Sequence, residues 1–208
     1  MTIAENIQEH IKKINGRARL VAVSKNQSLE KIGESLQAGQ RIFGENKVQE
    51  AKLHWQDKKE EYPDLSLHLI GPLQSNKAKD AVALFDVIQT IDRKSLIDAL
   101  SKEEQKQHRS LTYFIQVNTG REEQKSGVMV EDLADFLHYA KSKKLNVVGL
   151  MCIPPVDEHP RPHFSHLKRL ALENGLTELS MGMSGDYEIA LEEGASFVRI
   201  GTALFGER

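Results

Sequence analysis

A lysine, Lys25, closes the apolar run from Leu20 to Ser24, so the sequence places a primary amine at the C-terminal end of a predicted buried strand. Burial in a pocket depresses the pKa of an ammonium group, and a neutral amine can condense with an aldehyde to form a Schiff base. The alternative is a lysine that leaves the strand end and keeps its charged head in solvent. The other polar groups in the sequence decide between these two interpretations.

Two glycine-containing segments near the C-terminus have the composition of a phosphate site: 181–185 (MGMSG) and 199–202 (RIGT). Their glycines allow backbone N–H groups to approach a phosphate, and Ser184 and Thr202 add hydroxyl donors. The alternative is ordinary turn chemistry, in which Ser184 caps a helix that begins near Asp186.

The elements that must position these residues follow from hydrophobic periodicity, which predicts eight short strands alternating with amphipathic helices. Thr2 and Glu5 form a predicted capping box for an opening helix, whose apolar stripe is Ile3, Ile7, Ile11 and Ile14. The predicted strands are 20–25, 41–44, 65–70, 87–91, 111–117, 147–151, 178–181 and 197–200.

Mostly apolar strands separated by helices are typical of a closed parallel barrel, because its strands are covered on both faces. We therefore predict an α/β fold, a single (β/α)8 TIM barrel spanning residues 1–208 with an extra N-terminal helix. The competing fold is an open doubly wound sheet, but the glycine-rich dinucleotide turn after its first strand is absent. Since ~250 residues is typical of such barrels, the opening helix is expected to cover the place of a missing last helix.

Composition limits the classes of partner. The 208 residues carry a formal net charge of −2, and no basic patch indicates nucleic-acid binding. No segment approaches the ~20 apolar residues that span a bilayer, and no leader is visible at the N-terminus, so we expect a cytoplasmic chain with no membrane partner. The single cysteine, Cys152, fits a reducing compartment.

In a closed barrel the ends of strands one, seven and eight adjoin, so the predicted amine and phosphate segments would face one ligand. An aldehyde that carries a phosphate would bridge them, and pyridoxal 5′-phosphate has both groups. The sequence therefore predicts this cofactor.

The sequence also resembles the pyridoxal phosphate homeostasis protein family along nearly its whole length. The resemblance lies in the segments AVSK (22–25), FGEN (43–46), QE (49–50), HLIG (68–71), LQSNK (73–77), GLM (149–151), SMGMS (180–184) and VRIGTALFG (198–206).

The resemblance implies a barrel like the N-terminal domain of alanine racemase, the type III fold of pyridoxal phosphate proteins, with a covalent aldimine on Lys25. It places Asn46 beside the cofactor ring and Arg199 near the pyridine nitrogen. It also assigns Ser184, Gly201 and Thr202 to the phosphate.

The resemblance further implies cofactor homeostasis and supply without a defined catalytic turnover, with pyridoxal phosphate and possible apo-enzymes that use it as partners, and we expect a monomer. An arginine at the pyridine nitrogen weakens the ring as an electron sink. A racemase also needs a second acid/base group, which related enzymes take from a second domain, and none of the four tyrosines is assignable to that role. The alternatives are a small pyridoxal-phosphate-dependent racemase and a sugar-phosphate barrel enzyme with a Schiff-base lysine.

For the other reactive side chains, the sequence predicts structural roles and not catalytic or metal-binding ones. His68, inside the third strand, is predicted to be a hydrogen-bonded core histidine, and Cys152 a small buried side chain. His159, His163 and His166 are predicted to form a surface cluster and not a metal site. The sequence assigns no role to the polar loop 121–127.

Overall fold

The computed structural model describes residues 1–206; residues 207 and 208, the end of the predicted barrel domain, lie outside the described residues. Within that range, eight parallel strands pair in chain order and the last pairs with the first, which closes a barrel. The strands are β1 (Arg19–Val23), β2 (Ile42–Glu45), β3 (Ser66–Leu69), β4 (Val87–Ile91), β5 (Thr112–Gln116), β6 (Asn146–Met151), β7 (Glu178–Ser180) and β8 (Phe197–Ile200).

Helices cover the outside of the barrel between successive strands. They are α1 (Ile3–Ile14), α2 (Leu29–Gln37), α3 (Val48–Trp55), α4 (Lys58–Glu61), α5 (Ala78–Leu84), α6 (Lys94–Gln107), α7 (Leu133–Ser142), α8 (Pro160–Glu173), α9 (Tyr187–Glu193) and α10 (Thr202–Phe205). Among residues 1–206, no helix has both the length and the apolar composition needed to cross a bilayer.

Successive side chains of each strand point to opposite faces of the barrel wall, and both faces are buried. The inward-facing residues include a separate apolar cluster of Val21, Val87, Phe114, Met151 and Phe197. The outward-facing residues join the helices in one large core. Burial on both faces explains why the strands read as continuous apolar runs.

Helix α1 begins as predicted, because the Thr2 hydroxyl accepts a hydrogen bond from the Glu5 backbone N–H and the Glu5 carboxylate accepts one from Thr2. The helix packs against α2, α10 and β1. It thus covers the wall beside the four-residue α10. The predicted stripe is wrong at Ile11, which is 44% exposed.

The fold prediction is confirmed, and β4 and β8 have the predicted bounds. The first strand is shorter than predicted at its C-terminal end, next to Lys25. It ends at Val23 and not at Lys25, because the backbone turns: Gln27 N–H donates to the Ser24 carbonyl and Asn26 is left-handed, with φ 57°. Lys25 is therefore half-buried in a turn, not fully buried on a strand.

Candidate functional site

The turn that carries Lys25 is attached to β2 and α3 on both sides of the lysine. Ser24 N–H donates to the Gly44 carbonyl at 3.0 Å, and the Ser24 hydroxyl donates to Glu45 Oε1 at 2.6 Å. On the other side, the Asn26 backbone N–H donates to Glu50 Oε1. These contacts fix the backbone from which the lysine side chain extends, although Lys25 itself lies beyond the last residue of β1.

The strand register brings the ends of β1, β2 and β8 together. Val23 pairs with Gly44, and Lys25 and Asn46, the first residue after β2, each lie two residues beyond this pair. On the other side Ala22 pairs with Ile200. A Cβ built on Gly201 would lie 3.3 Å from Val23 Cβ, so the backbone after β8 approaches β1 closely. The prediction that these strand ends meet is confirmed.

The segment after β7 lies beside β8, because Arg199 N–H donates to the Gly182 carbonyl at 2.9 Å. Gly182 has φ +92°, and a Cβ there would lie 2.6 Å from Ala190 Cβ, so this position requires glycine.

The hydroxyls of Ser184 and Thr202 are exposed and have no hydrogen-bond partner among the residues described. The alternative in which Ser184 caps a helix is wrong. Helix α9 begins after Asp186, whose Oδ1 accepts from Met183 N–H at 2.6 Å. The Ser184 hydroxyl therefore makes no capping bond and can bind a ligand.

Arg199 lies on the inner face of β8 and is only 4% exposed. Its Nη1 donates to the Ser180 hydroxyl at 2.7 Å, and its Nη2 donates to the Cys152 carbonyl at 2.9 Å. Burial lowers the pKa of the guanidinium, which nevertheless stays cationic at neutral pH. The inside of the barrel therefore has a permanent positive charge on β8.

Asn46 lines a cavity of about 280 Å³ at the C-terminal end of the barrel, together with Gln116 of β5 and residues of the loops that follow β3, β5 and β6. A Cβ on Gly71 would lie 2.4 Å from the Asn46 carbonyl oxygen, so glycine allows this close packing. Lys25, Ser184, Arg199 and Thr202 do not line this cavity. The register brings their backbones to the same end of the barrel.

Sequence reasoning placed Glu45 at the end of the second strand but assigned no role to this carboxylate, which lies buried beside the lysine turn. Glu45 is fully buried, and its Oε1 accepts from the Ser24 hydroxyl at 2.6 Å and from His54 Nδ1 and Trp55 Nε1 at 2.9 Å each. Oε2 has no hydrogen-bond partner among the described residues. The sequence feature that could have indicated this role is a glutamate at the end of an apolar strand, Glu45, nine residues before His54.

Glu45, Glu50 and His54 also form the one group within residues 1–206 whose ligand atoms lie close enough to hold a metal ion, within 4.8 Å of one another. The three protein donors on Glu45 Oε1 already give this carboxylate a structural role: it joins Ser24, next to Lys25, to helix α3.

Two other expectations concern side chains near the site. Cys152 is fully buried, and burial raises the pKa of its thiol to about 12, so the thiol is unreactive as expected. His163 is not part of a surface cluster, because it is 7% exposed and bonds to Thr119 Oγ1 and Glu158 Oε2. His163, His159 and His166 do not bring their ligand atoms together in the described structure.

The family match and similar known proteins agree with one another. Residues 1–208 match the family described as alanine racemase, N-terminal domain. The pyridoxal phosphate homeostasis protein of Aquifex aeolicus is 42% identical over 201 residues, covering 92% of this chain and 87% of the relative. That of Vibrio cholerae is 40% identical over 215 residues, covering 98% and 91%.

Solved structures show the same fold. PipY of Synechococcus elongatus, with pyridoxal phosphate (PLP) bound, has a TM-score of 0.91 and 37% identity, covering 99% of this chain and all of that one. An alanine racemase of Clostridium difficile has a TM-score of 0.76 at 12% identity, covering 98% of this chain and 57% of the enzyme. At that identity the racemase shows the fold alone.

Proposed function

The chain belongs to the pyridoxal phosphate homeostasis protein family, and from that premise we propose that it holds pyridoxal 5′-phosphate as a Schiff base on Lys25. Its role is the homeostasis and supply of this cofactor inside the cell, without catalytic turnover. The observation that carries the proposal is the register that brings the Lys25 turn, Asn46, Arg199 and Gly201 to one end of the barrel.

Lys25 supplies the covalent bond. Its neutral amine nitrogen adds to the aldehyde carbon, the carbonyl oxygen leaves as water with the two amine protons, and a carbon–nitrogen double bond remains. The bonds from Ser24 to Glu45 and from Asn26 to Glu50 hold the turn, so the amine is presented from a fixed backbone.

The phosphate end of the ligand fits the segments after β7 and β8. Ser184 and Thr202 offer exposed hydroxyls without partners in the described structure, and Gly201 lets the backbone approach. Hydroxyl and backbone N–H donors without protein partners suit a phosphate dianion, which accepts several hydrogen bonds. Asn46, which follows the strand that pairs with β1, is proposed to contact the ring.

Arg199 supports binding without turnover. Bound pyridoxal phosphate supplies an electron-withdrawing ring, which is strongest when its nitrogen carries a proton. Arg199 can only donate hydrogen bonds and keeps its charge, so beside the ring nitrogen it disfavours that proton. The chain therefore stabilises the bound cofactor while giving little support to carbanion chemistry.

The four tyrosines also support this proposal, because none has a contact that presents it as a second acid/base group. Tyr113 faces the outer core, Tyr139 donates to Asp98 Oδ1 at 2.7 Å, and the Tyr187 ring lies 5.6 Å from that of His10. Tyr62 follows α4 and packs under the Arg41 guanidinium.

The remaining proposals concern the whole chain. Residues 1–208 act as one cofactor-binding unit, a monomer in the cytoplasm. Its partners are pyridoxal phosphate and the apo-enzymes that receive it. Size-exclusion chromatography and transfer of the cofactor to an apo-enzyme test these points directly.

Borohydride reduction followed by peptide mass spectrometry tests the attachment site. We expect a phosphopyridoxyl adduct on Lys25 and a visible absorption band that is absent in Lys25→Ala. Lys47→Ala is the matched control, since Lys47 is an exposed lysine near the same end of the barrel. It should keep both the band and the adduct. No adduct on Lys25 in the native chain would contradict the proposal and favour the sugar-phosphate enzyme.

The absence of turnover is tested separately. The loaded protein is incubated with each common amino acid in D₂O, and exchange of the α-proton is followed by NMR. We expect no exchange above that caused by free pyridoxal phosphate. Steady exchange with one amino acid would support the racemase instead.

A further inference from the structure

A row of polar side chains crosses the otherwise apolar inside of the barrel. Arg199, Ser180, Gln89 and His68 come from four different strands, and none is more than 4% exposed. Apolar side chains such as Val21, Phe114 and Phe197 occupy the same interior. Buried polar groups are costly unless hydrogen-bonded, so such a row needs a complete set of partners.

Each member of the row bonds to the next. Arg199 Nη1 donates to Ser180 Oγ at 2.7 Å, and Ser180 Oγ donates to Gln89 Oε1 at 2.6 Å. Gln89 Nε2 lies 2.8 Å from His68 Nδ1, and His68 Nε2 lies 3.1 Å from Ser66 Oγ. The chain of bonds therefore runs from Arg199 to the N-terminal end of β3. We call these four bonds the interior relay.

The direction of the interior relay follows from its first member. A guanidinium has no acceptor, so Ser180 accepts from Arg199, and its own proton is donated to Gln89 Oε1. The Gln89 oxygen is then occupied, and its NH₂ group must face His68 Nδ1. His68 consequently carries its proton on Nε2, which points to Ser66. Burial lowers the pKa of His68 to about 3, which agrees with a neutral ring that accepts at Nδ1.

Because the hydrogen bonds of the interior relay have one direction, they also restrict the orientation of the Arg199 guanidinium. If Ser180 or Gln89 rotated away, at least one buried group would lose its hydrogen-bond partner, which is unfavourable. The second Arg199 bond, to the Cys152 carbonyl, holds the other side of the guanidinium.

We infer that Ser180, Gln89 and His68 are positioning residues that hold the Arg199 guanidinium in the one orientation that faces the ring of the bound cofactor. The inference rests on the proposed function, which places Arg199 at the pyridine nitrogen. Ser180, Gln89 and His68 act through Arg199 and do not themselves contact the ligand.

The first test needs no cofactor. ¹⁵N NMR of the histidine rings in the unmodified protein should show His68 neutral, with its proton on Nε2, from pH 6 to pH 8. Gln89→Leu removes the donor to Nδ1, so in that variant the two neutral tautomers should mix. A His68 ring with its proton on Nδ1 in the unmodified protein would overturn the relay.

The second test uses the protein loaded with pyridoxal phosphate. Ser180→Ala should weaken cofactor binding about tenfold, as expected for one lost hydrogen bond to a charged group, and Gln89→Leu, which removes the acceptor of the Ser180 hydroxyl, should also weaken it. They should also shift the pH midpoint of the visible band, which a purely structural defect would leave in place. Ser35→Ala is the matched control, because it removes an equally buried serine hydroxyl, bonded to the Ile32 carbonyl of α2.

The outcomes separate the two ideas. If the unmodified protein shows the band and the relay variants match Ser35→Ala in affinity and pH midpoint, the positioning role is wrong and the proposed function stands. If the unmodified protein itself takes up no cofactor, the proposed function fails and this inference fails with it. Circular dichroism shows whether each variant folds. If a variant does not fold, the NMR measurement on the unmodified protein still tests the interior relay.

Discussion

At the scale of single residues, the arrangement around Lys25 depends on Glu45. This carboxylate accepts bonds from a serine, a histidine and a tryptophan, and so links the lysine turn to helix α3. The sequence indicated that Lys25 lies beside the end of the first strand, because a charged residue after an apolar run is visible locally, although the strand ends earlier, at Val23. It could not reveal the role of Glu45, since partners from two other elements become neighbours only after folding.

The Glu45–His54 pair predicts a pH dependence of stability. The hydrogen bond to Glu45 raises the pKa of His54 in the folded state. The extra stability from protonated His54 is therefore full below its unfolded pKa and is lost as pH rises through the folded pKa. The loss of unfolding free energy in His54→Gln should be greater at pH 5.5 than at pH 8.5, by roughly 1 kcal/mol.

Urea unfolding followed by circular dichroism at the two pH values measures this difference. Trp55→Phe is the control, because it removes another donor to the same oxygen of Glu45 and adds no titrating group. Its effect should be the same at both pH values. If His54→Gln lowered the free energy of unfolding equally at both pH values, the charged Glu45–His54 pair would contribute nothing to stability.

At the scale of elements, the segments after β7 and β8 are shaped by backbone contacts more than by side chains. Gly182 accepts the Arg199 N–H and packs against the start of α9, while Gly201 packs against Val23. The sequence predicted that these glycines let the backbone approach a phosphate, which stays a prediction; within the protein, Gly182 and Gly201 allow close packing of the chain on itself. The sequence left open whether Ser184 capped a helix, because capping and ligand binding use the same residue types.

Gly182→Ala should destabilise the fold by roughly 2 kcal/mol or more, because a left-handed backbone and a 2.6 Å contact with Ala190 Cβ both oppose a side chain. Gly185→Ala, in the same segment, meets no atom within 4 Å and has no positive φ. It should change the free energy of unfolding by less than about 0.5 kcal/mol. Thermal unfolding of both variants checks the difference, and equal melting temperatures would contradict the steric argument.

At the scale of the whole molecule, helix α1 completes the outer layer of the barrel. It packs on α2 and on the short α10, and the Asn6 side chain donates to the Leu204 carbonyl at 2.9 Å. The eight-strand pattern was predictable because both faces of each strand are apolar. The exposure of Ile11 was not, because the packed face of α1 follows Ile3, Ile7, His10 and Ile14.

If α1 folds as part of the barrel, one substitution in it should lower the stability of the entire molecule. Ile7→Ala, at a fully buried position, should reduce the free energy of unfolding by about 2–5 kcal/mol in a single transition. Ile11→Ala, one turn later and exposed, should change it by about 0.5 kcal/mol or less. Calorimetry that resolved a separate early transition in Ile7→Ala would show that α1 unfolds independently.

Closure of the barrel by β1 and β8 also has a consequence for the order of events during protein synthesis. Val21 pairs with Arg199, although the ribosome joins these residues to the chain 178 steps apart (199 − 21). A nascent chain that has reached β7 already has the lysine but lacks the arginine and the segment that follows β8. Under the proposed function, capture of the ligand by Lys25 together with these residues waits for the last strand to be made, and partly synthesised chains lack the complete site.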